Sequence, residues 1–394
     1  MTCRPRLVLV IWSLGPGGAE RVLTTLANHW ASTHDVEIVV LGRDHTDHYP
    51  LAPAVRRVDL SRPRRQATRR ASRDDVVTAA PGLPAQRSFS RRLRDRVGDI
   101  VHHLLLAWKL RRHLVRTRPD AVVAFIDRTN IMTLTASRGL GVPVVVSERT
   151  DPREHASQLS GYDRVLRRLT YPWADAVVFQ TQSAAQGGLP WLPVSRVRVV
   201  PNPVHACPAA PSTRRDLVVG MGRLSPEKGF DRLLNAFARV APDHPTWRLC
   251  LLGEGPLRAD LLEQARTLGV EERLAMPGVV ADPEATLSAG KVFALTSRYE
   301  GFPNALLEAM ACGMGVVAVD CRSGPAEIVT DGVDGLLVPQ DDPDRLATAL
   351  DRLLTDEHLR SRLGAKARSS VGRFEVEAVA DQWLDILREA RRQR

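Results

Sequence analysis

Cysteine is scarce in this chain. Its 394 residues hold five, Cys3, Cys207, Cys250, Cys312 and Cys321. They are odd in number and far apart, and no Cys-x-x-Cys occurs. A disulfide scaffold and a zinc site are therefore not expected, and a reduced cytosolic compartment fits best. No stretch reaches about 18 consecutive apolar residues, so no spanning helix is expected. The opening MTCRPRLVLVIWSLGPGG loosely mimics a signal peptide. Its apolar run is short, has no small-residue cleavage site and leads straight into a glycine loop, so it reads as a first buried strand. The Gly-Lys-Ser/Thr of a P-loop is absent. So is Gly-x-Gly-x-x-Gly after the first strand: Glu20 stands where the third glycine would fall, and no acid clearly follows the second strand. A nicotinamide site is disfavoured. No nucleic-acid module or interleaved aromatics appear, so nucleic acid is not expected as a partner.

What is present is an ordinary globular composition, 44% hydrophobic and 25% charged, long enough for two or more domains. The net charge of +10 is local. Residues 56–118 carry 18 Lys or Arg against five acids, leaving the rest of the chain slightly acidic. Short Val-, Ile- and Leu-rich runs at 7–13, 36–41, 121–126, 143–147, 176–180, 217–221, 247–252, 291–295, 316–319 and 335–338 alternate with helical patterns such as 19–32, 99–117, 228–240, 255–268 and 344–354. Alternating βα units with doubly buried strands predict parallel sheets covered by helices. The series breaks at PNPVHACPAAPSTRRD, whose four prolines and lack of periodicity mark a linker. The expected organisation is an N-terminal domain over 1–200, a linker over 201–216, a C-terminal domain over 217–374 and a helical run over 375–394. The stretch 61–90 reads as a loop that is mobile or ordered only by a partner.

Four segments carry chemistry. In EGFPNALLEAMACG, Pro303 suits the first position of a helix through Asn304–Cys312 that stops at Gly313. Glu300 then lies in the entering loop and Glu308 in the second turn. Unpaired amides around Gly301–Ala305, Phe302 to Asn304 among them, would form an anion site, and a carboxylate beside it could accept sugar or ribose hydroxyls. Two solvated acids around an amphipathic helix is the plainer reading, and spacing alone leaves both open. GPGGAER follows the first strand, so Gly17 and Gly18 could bring backbone close to a ligand or simply turn the chain. In GRLSPEKG, following Gly222, Arg223 and Lys228 could clamp a diphosphate or sit as surface charges. GEGP offers, through Gly253 and Gly255, an anion nest or a plain turn.

Taken in order, GRLSPEKGFDRLLNAF, LLGEGP, MPGVVAD and EGFPNALLEAMACG resemble the family 4 glycosyltransferases. The resemblance is strong from about Val199 to Asp344, and SLGPGGAERVLTTLAN and PVVVSERTDP extend it more loosely into the first half. The combination is specific although each motif is not. It implies a GT-B fold, two Rossmann-like domains with parallel sheets facing a deep interdomain cleft, and a terminal helix crossing back to the N-terminal domain. The implied activity is transfer of a hexose or N-acetylhexosamine, with retention, from a nucleotide sugar, UDP-linked by resemblance, to a hydroxyl of a glycan. The nucleotide sugar is a substrate; no cofactor and no metal are expected. By the same resemblance Arg223 and Lys228 hold the donor diphosphate, Glu300 orients the donor sugar with help from amides near Phe302, Pro303 and Asn304, Glu308 binds the ribose, and Gly17 and Gly18 reach the distal phosphate.

The chain departs from many relatives where they carry a cleft histidine: here Ser147-Glu148-Arg149 stands, a variant familiar among transferases acting on lipid-linked glycans. Glu148 and Arg149 are thus acceptor-side candidates, or an acid and a base satisfying each other at a strand end. The single Asp-x-Asp, Asp342-Pro343-Asp344, opens a helix and reads as a cap rather than a metal bridge. Over 90–118, apolar Leu93, Val97, Ile100, Val101, Leu104, Leu105, Trp108 and Val115 recur near helical spacing, flanked by arginines. This is either a solvated face or a surface for the anionic inner leaflet of the cell membrane, where a lipid-linked acceptor would be presented. The expected enzyme is therefore cytoplasmic, peripheral on that leaflet. The same chemistry on a soluble natural product, or nucleotide-sugar binding without catalysis, are the alternatives.

Overall fold

The computed structural model describes residues 4–42, 47–61, 89–155, 159–207 and 213–394, and side chains for these apart from 89–101 and 154–155. Residues 62–88 of the loop predicted over 61–90, the apolar positions Leu93, Val97, Ile100 and Val101, and Cys3 therefore lie outside the described residues or side chains, while Phe89 and Ser90 already belong to a helix.

The first sheet has seven parallel strands: β1 (Arg6–Ile11), β2 (Asp35–Val40), β3 (Arg56–Asp59), β4 (Ala121–Phe125), β5 (Val144–Ser147), β6 (Ala176–Phe179) and β7 (Val197–Val199), in spatial order 3-2-1-4-5-6-7. The second has six, also parallel: β8 (Arg215–Met221), β9 (Arg248–Leu252), β10 (Leu274–Gly278), β11 (Gly290–Leu295), β12 (Gly315–Asp320) and β13 (Leu336–Pro339), in order 10-9-8-11-12-13. Strand order reverses between β1 and β4 and between β8 and β11. Such switch points, at the carboxyl ends of the strands, are where open α/β sheets bind ligands. GPGG follows β1 and GRLSPEKG follows β8.

The helices of the first half are α1 (Gly18–Trp30), α2 (Phe89–Thr117), α3 (Asp127–Ser137), α4 (Pro152–His155), α5 (Gly161–Thr170) and α6 (Gln182–Gly188). Those of the second are α7 (Phe230–Val240), α8 (Arg258–Thr267), α9 (Pro283–Ala289), α10 (Asn304–Ala311), α11 (Pro325–Ile328), α12 (Pro343–Thr355), α13 (Glu357–Ser370) and α14 (Val376–Arg392). The central strands are buried on both faces, as in the unbroken apolar run Val144–Val146 of β5, because helices cover both sides. On one side of the first sheet α2, α3 and α5 pack around Leu110, Ile131 and Leu166. On the other, α1 and α14 pack over Leu9 and Val123, and α14 lays Trp383 on Phe125 with ring centroids 5.7 Å apart. Asp342 accepts a hydrogen bond from the Arg345 amide, so it caps α12 as its position implied.

Two points correct the sequence reading and a third decides what it left open. Cys207 and Cys312 form a disulfide across 105 residues. Spacing could not show it, because the pair becomes adjacent only when the segment leaving the first sheet returns along the end of α10. Pro303 is the N-cap of α10 rather than its first residue. Its φ of −79° and ψ of 79° with the Asn304 amide donating to the Phe302 carbonyl at 2.9 Å make an inverse γ-turn, so the Asn304 amide is not available to an anion. The basic segment, open between one helix and two, is the single 29-residue α2.

Candidate active site

The site lies where the carboxyl ends of the two sheets meet. Gly17 caps α1, and a Cβ there would fall 2.1 Å from the Glu20 carboxylate, which folds back over this turn. A Cβ on Gly18 would fall 2.9 Å from Asn304 Nδ2. Gly18 is therefore small because the start of α10, in the other domain, stands against it.

In the second domain, the loops after β8 and β9 pack backbone to backbone. A Cβ on Gly253 would lie 2.0 Å from the Gly222 carbonyl oxygen, and one on Gly255 would lie 2.3 Å from that of Leu224. Leu224 and Glu254 are joined by a main-chain hydrogen bond of 2.9 Å. Gly253 and Gly255 thus serve loop-on-loop contact, with Gly222 at φ +156° in the same turn. Of the two cations in the first loop, Lys228 turns inward: its Nζ lies 2.6 Å from Glu300 Oε1, which also accepts from Ser297 Oγ at 2.6 Å. Burial disfavours the charged ammonium, yet the Glu300 carboxylate outweighs it and holds the Lys228 pKa above its ordinary value. Arg223 is exposed and makes no side-chain hydrogen bond or ion pair among the described residues. The structure brings Lys228 to Glu300 and leaves Arg223 apart.

Glu308, on α10, is buried. Its Oε1 accepts from Arg21 at 2.6 Å, while Oε2 has no partner among the described residues. Burial raises its pKa to about 7; Arg21 opposes the rise and Glu284 adds to it. Arg21, on α1, also donates to Glu284 at 3.1 Å. One guanidinium from the first domain thereby ties two carboxylates of the second, beside Thr25 and His205, whose side chains lie 3.2 Å apart. The sequence reading missed Arg21, although it is the last residue of GPGGAER.

A second bridge runs through asparagines. Asn202 Nδ2 donates to Asn304 Oδ1 at 2.6 Å, and Asn202 Oδ1 accepts from Arg149 at 2.7 Å. The Arg149 guanidinium stands 4.7 Å over the Phe125 ring, and burial lowers its pKa to about 9 against the pull of Glu20. The Arg149 carbonyl lies 2.7 Å from where a Gly301 Cβ would project, so Arg149 belongs to the interdomain site. Glu148 does not: its carboxylate is buried against Arg167 at 2.6 Å and the Tyr171 hydroxyl. Successive strand residues point to opposite faces, so the acceptor-side expectation is corrected for Glu148, and the two residues do not pair with each other. Phe302, also buried, packs edge-on to Phe374 at 6.0 Å and shapes the entering loop from below.

Further from the centre, Glu327 accepts from the amides of Gln182 and Ser183 at 2.8 and 2.9 Å, holding the start of α6 in the first domain. Asp151 binds Arg153 at 2.6 Å and the Ser323 hydroxyl. Cations, carboxylates and a half-buried helix start are thus gathered between two switch points. Such a group can neutralise a departing diphosphate and accept hydrogen bonds from the hydroxyls of a ribose or a sugar.

Comparison with known proteins agrees with this geometry. The family model described as Glycosyltransferase Family 4 matches residues 16–206, and that of Glycosyl transferases group 1 matches 209–370. A lipopolysaccharide core biosynthesis glycosyltransferase, LpsE of Rhizobium meliloti, is 30% identical over 73% of this chain and 81% of its own length. A Campylobacter jejuni alpha-1,4-N-acetyl-D-galactosaminyltransferase, named for a PP-undecaprenol-linked glycan, is 26% identical over 98% of this chain and 99% of its own. An exopolysaccharide phosphotransferase of Streptomyces coelicolor is 31% identical over 97% of this chain, which spans only 40% of that longer protein. Among solved structures, Anabaena HepE in complex with UDP and glucose superposes with a TM-score of 0.74 at 19% identity, covering 97% of this chain and 99% of HepE. The chain belongs to the family 4 glycosyltransferases and has their GT-B fold.

Proposed function

We propose that this enzyme moves a hexosyl or N-acetylhexosaminyl group from a UDP-linked donor to a hydroxyl of a lipid-linked glycan at the cytoplasmic face of the cell membrane, with retention of configuration and without a metal. The supporting observation is the pairing of Lys228 with Glu300 in the loop that leads to α10, with Glu308 buried a turn into that helix. In this reading a cation, a sugar-facing acid and a ribose-facing acid follow one path. As the bond from the anomeric carbon to the phosphate oxygen breaks, negative charge grows on the diphosphate. Lys228 is set to meet it, and the Ala305 amide, which has no hydrogen-bond partner among the described residues, adds the positive end of α10; Arg223, exposed at the loop mouth, is assigned as the second cation and has to swing in to reach the diphosphate. Glu300, held by Lys228 and Ser297, orients the donor sugar rather than taking a proton. The departing phosphate accepts the proton of the attacking hydroxyl, which fits a retaining reaction with no protein nucleophile. On the acceptor side Arg149 faces the site. The lipid-linked acceptor follows the PP-undecaprenol glycan named for the Campylobacter relative, together with the exposed apolar residues of α2, Leu104, Leu105, Trp108 and Val115. No helix among the described residues is long and apolar enough to cross a membrane, so contact through the surface of α2 is the route proposed.

The test is transfer from a panel of nucleotide sugars by the parental chain and by an Arg223→Ala/Lys228→Ala variant. The variant should lose on the order of 100-fold or more in kcat. Turnover at the parental rate would overturn the assignment of the leaving-group cations.

A further inference from the structure

We propose that α5 is a second membrane-contacting element, and that α2 and α5 together form a two-railed docking face for an anionic phospholipid bilayer. This rests on the reading that the acceptor is presented at a membrane. Tyr162, Val165 and Leu169 of α5 are 46, 58 and 59% exposed and recur at helical spacing. Large apolar side chains this open are unusual on three neighbouring turns of one short helix. Arg164 and Arg168 lie exposed beside them. The single acid of α5, Asp163, is buried and bound to Arg128 at 3.1 Å and Ser160 at 2.8 Å.

The strip is not isolated. α2 and α5 sit on the same side of the first sheet, with α3, almost wholly buried, between them. On α2 the exposed Leu104, Leu105, Trp108 and Val115 follow one face, and Arg112 stacks 4.8 Å from the Trp108 ring. Residues 102–117 contain no Asp or Glu. Two apolar strips, each edged by arginines and free of exposed acids, thus flank a common helix. Apolar side chains sunk at the headgroup boundary with arginines level with phosphates is the arrangement that binds anionic bilayers; a hydrophobic protein partner would not call for cations on both rails. α2 leads into β4 and α5 leads towards β6, so both helices run against the parallel strands and start at the end of the sheet that faces the second domain. Contact along both rails fixes rotation about either one, which a single amphipathic helix does not. It thereby holds the acceptor side of the site, with Arg149, at the height of the lipid headgroups.

The experiment is co-sedimentation of the full chain with phosphatidylcholine vesicles, with and without phosphatidylglycerol, alongside turnover of a water-soluble acceptor. Val165→Glu/Leu169→Glu should lower binding to the anionic vesicles by roughly tenfold or more, as should Trp108→Glu on the other rail, with water-soluble turnover unchanged. Arg164→Gln/Arg168→Gln, which spares the apolar strip, should reduce the dependence on phosphatidylglycerol. Parental binding by both α5 variants would overturn the role of α5 and leave the lipid-linked acceptor standing. Failure of the parental chain to bind either vesicle would overturn both. A parental dimer that Val165→Glu/Leu169→Glu converts to monomer would assign the strip to a second copy and overturn the proposal.

Discussion

Glu308 faces two opposing demands, burial that favours its neutral form and an arginine that favours its charge, and burial prevails. Its pKa is about 7 in the folded chain against 4.5 for the free side chain. The folded state therefore retains a proton that the unfolded state has already lost over this interval. The stability due to this group is fully present below 4.5, declines as pH rises towards 7 and is level beyond. Thermal unfolding followed from about pH 5 to 8 should show a decline in the parental chain that Glu308→Gln lacks. Nucleotide affinity should move the other way, rising through pH 7, because the ionised carboxylate is the stronger acceptor for ribose hydroxyls. Arg21→Ala should cost about 3 kcal/mol by stranding that carboxylate, and much less in a Glu308→Gln background; equal losses in both backgrounds would show that the pair is not coupled. Arg21 and Glu308 are 287 residues apart. Glu308 stood out by its place behind a proline in a helix, but its partner could be named only once the two domains had been brought together.

Among the elements, the loop between β8 and α7 shows how backbone geometry places a side chain. Gly229 caps α7 at φ +63°, and a Cβ there would meet the Thr296 carbonyl oxygen at 2.1 Å. Gly229→Ala combines left-handed strain with a backbone clash, so it should cost at least about 2 kcal/mol and displace the adjacent Lys228. Chemical denaturation and donor KM would both register the change; an unaltered KM would mean that the turn does not set the lysine. The ten strand runs read from the sequence all correspond to strands, because burial on both faces leaves an uninterrupted apolar signature. The three that were not read, β3, β7 and β10, lie at sheet edges. Arg56–Asp59 is mostly exposed, Val197–Val199 is three residues long and Leu274–Gly278 contains a proline, so none carries that signature. In the site, glycines and charges beside strand ends were legible as a set. The turning of Glu148 into the core and of Arg149 towards the second domain was not, since it depends on which face of β5 each residue continues.

For the molecule as a whole, α14 follows the second sheet in the chain yet completes the first. Val379, Ala380, Trp383, Ile386 and Leu387 are all buried there. At about 2 kcal/mol for each large apolar side chain, their loss rivals the entire stability of an ordinary domain. A chain ending at Glu375 should therefore lose the cooperative unfolding of its first domain while the second still melts, as calorimetry would show; two intact transitions would contradict this. The order of synthesis makes the same helix a matter of timing. As the polypeptide leaves the ribosome, the groove over Phe125 stays open until the entire second sheet and its helices have emerged behind it. Nascent chains stalled after the first sheet should then be the ones that chaperones hold.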